Sequence, residues 1–156
     1  MNRIQLALRV PDLEASIAFY TRLFGTQPAK VRDGYANFAV AEPPLKLVLI
    51  QGAPDDDTRL DHLGIEVDTT DAVTGAGRRL QAAGLTTAEE NDTTCCYALQ
   101  DKVWVHGPGQ EPWEVYVVKA DAETLTKQHD SVCCAGPDAE NNDRGEPAAA
   151  TTGTCC

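Results

Sequence analysis

The chain has 156 residues, a formal net charge of −11 and a pI near 4.5. That length suits one domain with a core of its own. The acidic balance argues against nucleic acid or an anionic membrane as partner, because both call for clustered Lys and Arg. No apolar run approaches a membrane span, and Met1 to Val10 carries no apolar signal core, so a cytoplasmic location is expected.

Ile4 to Val10 alternates, with Ile4, Leu6, Leu8 and Val10 on one face and Gln5, Ala7 and Arg9 on the other. Pro11 breaks this strand, and Asp12 is a good N-cap for a helix whose Leu13, Ile17, Tyr20 and Phe24 share a face. Gly25 is a fitting C-cap. Strands are expected at Tyr35–Val40 and Leu45–Ile50, joined by a turn at Glu42-Pro43-Pro44, with a further short strand between Gln27 and Arg32.

The pattern then returns. Asp55-Asp56-Asp57 reads as a solvated linker. His62 to Val67 alternates, Asp68-Thr69-Thr70 supplies capping residues, and Val73, Gly77 and Leu80 mark a helix face that Gly84 ends. Strands follow at Cys95–Leu99, Lys102–His106 and Trp113–Val118, the last two joined at Gly107-Pro108-Gly109. Superposing the halves sets Gln5 on His62 and Val10 on Val67. The expected architecture is α+β: two β-α-β-β-β modules, about residues 1–54 and 58–120, in one domain over 1–120. Their apolar strand faces pack on the helices. The opposite faces, carrying Gln5, His62 and Glu114, line a shared cup.

Residues 121–156 contain only Leu125 and Val132 as large aliphatics and no aromatic. Such a composition cannot bury enough apolar surface to fold alone, so a disordered tail is expected there.

All six cysteines fall in adjacent pairs: Cys95-Cys96, Cys133-Cys134 and Cys155-Cys156. Neighbouring alpha carbons stand about 3.8 Å apart, below the range of about 4.4–6.8 Å that disulfides prefer. A reducing compartment would also keep them as thiols. Three dithiols suit capture of a thiophilic element, the two tail pairs serving as auxiliary thiols.

The repeat, with Gln5, His62 and Glu114 on matching strands, resembles the vicinal oxygen chelate superfamily of glyoxalase I, extradiol dioxygenases and bleomycin-resistance proteins. A narrower stretch, Thr94-Cys95-Cys96-Tyr97-Ala98, Gln100-Asp101-Lys102-Val103-Trp104-Val105 and Trp113-Glu114-Val115-Tyr116, is similar to the ArsI-type carbon–arsenic lyases and to a cadmium-induced protein family. The resemblance implies a nonheme Fe(II) enzyme that uses O₂ as co-substrate. It would cleave the carbon–arsenic bond of small trivalent organoarsenicals, such as methylarsenite and aromatic arsenicals, and release arsenite.

Gln5, His62 and Glu114 would be the metal ligands, and Ni, Co or Zn could occupy the same site. The superfamily's iron dioxygenases commonly use two His and one carboxylate, so Gln5 departs from them and agrees with glyoxalase I. Cys95 and Cys96, on a mobile loop, would bind arsenic. Tyr97, Trp104 and His106 are candidates to wall the pocket. Two alternatives stand beside this reading: thiol sequestration of arsenic or cadmium without catalysis, and an isomerase of glyoxalase type. A monomer is expected over a dimer, since one chain holds both modules.

Overall fold

A computed structural model describes residues 2–125. The first alternating run forms β1 (Arg3–Val10). Asp12 caps α1 (Leu13–Phe24), its carboxylate accepting from the Ala15 amide at 2.9 Å, and Gly25 closes the helix with φ 62°. The chain continues through β2 (Lys30–Arg32), β3 (Tyr35–Val40) and β4 (Leu45–Gln51). The second module repeats this order with β5 (Arg59–Glu66), α2 (Thr70–Ala82), β6 (Ala88–Cys95), β7 (Ala98–His106) and β8 (Pro112–Asp121).

The eight strands form one sheet in the order β2-β3-β4-β1-β5-β8-β7-β6. Its two halves meet where β1 and β5 run antiparallel, with Gln5 opposite Gly64 and Ala7 opposite His62. Gln5 and His62 lie 57 positions apart, as do Ala7 and Gly64, so the pairing maps onto itself when the modules are exchanged. The internal repeat is therefore a structural near-twofold.

One face of the sheet carries the helices. Phe38, Leu47 and Leu49 are fully buried against Leu13, Ile17 and Phe24 of α1. Val73 of α2 packs on Val103, Val115 and Val117. Truncating Phe38 to Ala in such a core costs about 3–5 kcal/mol. The opposite face is left to form the cup.

Two expectations need correction. The strand expected at Cys95–Leu99 is instead the end of β6, a two-residue turn at Cys96-Tyr97, and the start of β7. The sequence Ala-Glu-Glu-Asn-Asp-Thr-Thr does not alternate, so β6 is held by pairing with β7 rather than by an apolar face of its own. The ordered fold also runs past residue 120. Ala122 donates to the Tyr97 carbonyl at 3.0 Å, and the Cys96 and Tyr97 amides donate to the carbonyls of Leu125 (3.1 Å) and Thr124 (2.9 Å). Leu125, one of the two large aliphatics beyond residue 120, packs on the cluster around Cys95. The pairs Cys133-Cys134 and Cys155-Cys156 lie outside the described residues.

Candidate metal and dithiol site

Strand alternation projects Gln5 from β1, His62 from β5 and Glu114 from β8 into one cavity of about 170 Å³. All three are buried. The Gln5 amide nitrogen lies 3.0 Å from His62 Nε2 and 2.8 Å from Glu114 Oε1, and those two atoms are 3.4 Å apart. Three donors sharing one ion at about 2.0–2.2 Å in neighbouring positions stand about 3 Å from each other, so the triangle has the size of a metal-binding face. Small residues leave the room. A Cβ at Gly64 would sit 3.1 Å from Gln5 Cβ and 3.2 Å from a Tyr116 ring carbon, tighter than ordinary contact. Among the described residues no group of three His, Cys, Asp or Glu is placed to hold a metal. The third donor here is an amide. The register position in β4 that corresponds to Glu114 is Val48, since Gly64 pairs Glu114 and Ala7 pairs Val48.

Hydrogen bonds behind the triangle fix its chemistry. His62 Nδ1 lies 2.6 Å from Asp61, which Arg9 holds at 2.6 Å. That bond leaves Nε2 directed at the cavity, the arrangement typical of metal-binding imidazoles. Burial pushes the His62 pKa down, but the Glu114 charge and the bonds to Asp61 and Glu114 outweigh it and lift the pKa to about 9. Burial pushes the Glu114 carboxyl up; the Lys102 and His62 charges outweigh this and hold it far below the usual carboxylate range. Lys102 Nζ is 2.7 Å from Glu114 Oε2 in a fully buried pair. Burial depresses the Lys102 ammonium, but Glu114 and then Cys95 and Cys96 favour its charge and raise it.

The dithiol sits beside this centre. Cys96 lines the same cavity as Gln5, His62 and Glu114, while Cys95 is buried in the apolar cluster of Ala7, Tyr35 and Val48 and does not line it. Their sulfurs are 3.0 Å apart, beyond the about 2.05 Å of a disulfide. The pair, expected on a mobile loop, sits at a tight turn between β6 and β7. Cys96 and Tyr97 have φ of 55° and 58° and form the two-residue turn of a hairpin. Such turns favour Asn-Gly, because left-handed backbone costs other residues about 1–2 kcal/mol each. Three backbone bonds from residues 122–125 hold this strained turn in place.

The pocket candidates divide. Trp104 stacks edge-on to His62 at 5.7 Å, and Tyr97 stacks on Tyr35 with its hydroxyl on the Asp33 carbonyl. Both are buried beside the cavity but do not line it. His106 is exposed at the far end of β7, opposite Pro112, and belongs to another region. Among the cavity residues missed are Lys46, Glu66 and Gln100; Lys102, which does not line the cavity, reaches the site through Glu114. The signal was in the β7 alternation, where Ala98, Gln100, Lys102 and Trp104 share a face and only a polar site would tolerate two of them.

The family model for the Glyoxalase/Bleomycin resistance protein/Dioxygenase superfamily matches residues 3–115. The chain belongs to this superfamily. Within it, a trivalent organoarsenical cleaving enzyme of Thermomonospora curvata is 67% identical over 156 residues, covering all of both chains. The cadmium-induced protein CadI of Mycobacterium tuberculosis is 54% identical over 145 residues, 87% of this chain and 95% of that one. An extradiol ring-cleaving dioxygenase structure from B. fuscum superposes with a TM-score of 0.55 at 23% identity, over 78% of this chain and 34% of that one, which extends the likeness of fold. No helix among the described residues is long and apolar enough to cross a membrane.

Proposed function

We propose that this superfamily member is an Fe(II)- and O₂-dependent carbon–arsenic lyase acting on small trivalent organoarsenicals. The observation that carries the reading is the meeting of Cys96 with Gln5, His62 and Glu114 in one cavity. The 67% identity to a protein named for organoarsenical cleavage agrees with it.

Gln5, His62 and Glu114 would hold the iron, which supplies activation of O₂ beside the substrate. The remaining steps belong to the chain. A trivalent organoarsenical carries two exchangeable hydroxyls and one carbon substituent. The Cys95 and Cys96 sulfurs replace the two hydroxyls, two waters leave, and arsenic becomes bound through both thiolates. The carbon substituent then remains directed into the cavity, and one encounter becomes an oriented, effectively intramolecular one. Burial of the triangle excludes bulk water from the reacting carbon.

The test is turnover of methylarsenite by reduced protein. Inorganic arsenite should form over many cycles and only when Fe(II) and O₂ are both supplied. Stoichiometric binding with unchanged release would contradict the lyase and favour thiol sequestration, the reading to which the cadmium-induced relative points. An isomerase of glyoxalase type leaves the Cys96 thiol in the cavity without a task.

A further inference from the structure

The Gln5 side chain presents the wrong atom for the role assigned to it above. Its nitrogen faces His62 Nε2 and Glu114 Oε1, while its oxygen faces Tyr116 Oη at 2.5 Å. An amide nitrogen has no lone pair available for a metal, and only the oxygen can ligate. A half-turn of the carboxamide exchanges the two atoms with little change of shape. What sets that half-turn is therefore what sets metal binding.

Glu114 Oε1 holds the nitrogen inward, and Tyr116 is the group that meets the oxygen on the outer side. Tyr116 Oη is buried and has a single proton, yet it has two acceptors: Gln5 Oε1 at 2.5 Å and Glu66 Oε2 at 3.0 Å. Lys46 Nζ donates into the same oxygen at 3.1 Å. Arg3 fixes Glu66 through two bonds, of 3.0 and 3.2 Å. When the tyrosine proton points to Gln5, the amide oxygen stays outward and its nitrogen donates to Glu114 Oε1. When the proton points to Glu66, an ionised and hence stronger acceptor, the phenol oxygen can accept from the Gln5 nitrogen. The amide oxygen then turns inward. The location of one proton and the orientation of one amide are a single two-state choice.

We propose that Tyr116, with its proton drawn to Glu66, is the positioning residue that turns the Gln5 oxygen toward His62 and Glu114. This rests on the metal-ligand reading of Gln5. It separates the metal-free arrangement, satisfied by amide nitrogen inward, from the metal-bound one, satisfied by amide oxygen inward. Gly64 supplies the space, since its missing Cβ would press on both the Gln5 nitrogen and the Tyr116 ring at 3.2 Å.

The test is an equilibrium titration of reduced full-length protein with Mn(II), following the free ion by electron paramagnetic resonance. Manganese suits oxygen and nitrogen donors and avoids competition from the six thiols. Gln5→Ala, Tyr116→Phe, Glu66→Gln and the Gln5→Ala/Tyr116→Phe double variant are compared with the parent. Tyr116→Phe should weaken Mn(II) binding roughly 10- to 100-fold, the usual effect of removing a group that orients a ligand. Glu66→Gln should weaken it in the same direction, and it carries the test alone if Tyr116→Phe does not fold. Tyr116→Phe should have no further effect once Gln5 is Ala. Parent-like affinity in Gln5→Ala would remove Gln5 from the ligand set and so overturn the reading beneath the proposal. Weak binding in Gln5→Ala with parent-like binding in Tyr116→Phe and Glu66→Gln would overturn the proposal alone. An equal loss from Tyr116→Phe with or without Gln5 would reduce the tyrosine to a packing role, which also overturns it.

Discussion

Replacing Lys102 by Met should destabilise the metal-free protein by about 3 kcal/mol. Lys102 Nζ and Glu114 Oε2 are 2.7 Å apart, and both side chains are almost wholly buried. At an effective dielectric of about 20, opposite charges at that distance attract by roughly 6 kcal/mol. Met fills nearly the same volume and avoids the cost of burying an ammonium. It leaves the Glu114 carboxylate behind, and stranding one member of a buried pair typically costs about 3–5 kcal/mol. His62, 3.4 Å from the same carboxylate and protonated at neutral pH, compensates in part and sets the expectation at the low end. Glu114→Gln should also destabilise, because Lys102 and the His62 imidazolium then face each other unneutralised. The double variant Lys102→Met/Glu114→Gln removes both opposed charges, so its loss should fall short of the sum of the singles by at least about 1.5 kcal/mol. Urea unfolding at pH 7 with a chelator and a thiol reductant measures all four proteins, with unchanged slopes securing the comparison. Additive losses, or a Lys102→Met loss below about 0.5 kcal/mol, would refute the mutual stabilisation of Lys102 and Glu114 in the buried site.

Three further outcomes are expected. Cys95→Ser and Cys96→Ser should each abolish arsenite release while Mn(II) affinity stays at the parent value; activity in either variant would remove the dithiol from the mechanism. A chain ending after Leu125 should keep its arsenical KM. A chain ending after Ala120 loses three backbone bonds to the thiol turn, about 2 kcal/mol net, and its KM should rise roughly 30-fold with metal affinity intact; equal KM values would show that residues 122–125 do not hold the turn. The pH dependence follows from His62, whose folded pKa is raised from 6.5 to about 9. Its contribution is full below pH 6.5 and is lost as the pH rises through about 9. Calorimetry of the chelated protein should therefore show a loss of about 3 kcal/mol between pH 6.5 and 10, absent in His62→Asn; parallel curves for the two proteins would contradict this.

The regular parts of the fold were legible because residues with one clear preference mark them. Asp12 and Gly25 bound α1 as capping chemistry requires, and Val73, Gly77 and Leu80 are the buried residues of α2. The offset between Gln5 and His62 survived because register fixes every side chain's face at once. The Cys96-Tyr97 turn was hidden because neither residue favours positive φ; its partners at residues 122–125 are distant in sequence and impose it. Lys102 and Tyr116 were hidden for a related reason. Each is buried through a charge or hydroxyl partner on another strand, and local sequence does not reveal that partner. His106 went the other way: its residue type suggested chemistry, and the end of β7 carries it into solvent.

The most direct measurement concerns the distance between substrate carbon and metal. Mn(II)-loaded, reduced protein would be mixed with methylarsenite carrying ¹³C in its methyl group, without oxygen, and examined by electron–nuclear double resonance. The account predicts a ¹³C coupling to manganese that disappears in Cys96→Ser. Methylarsenite bound to the thiols with no such coupling would separate the dithiol from the metal centre and contradict the lyase.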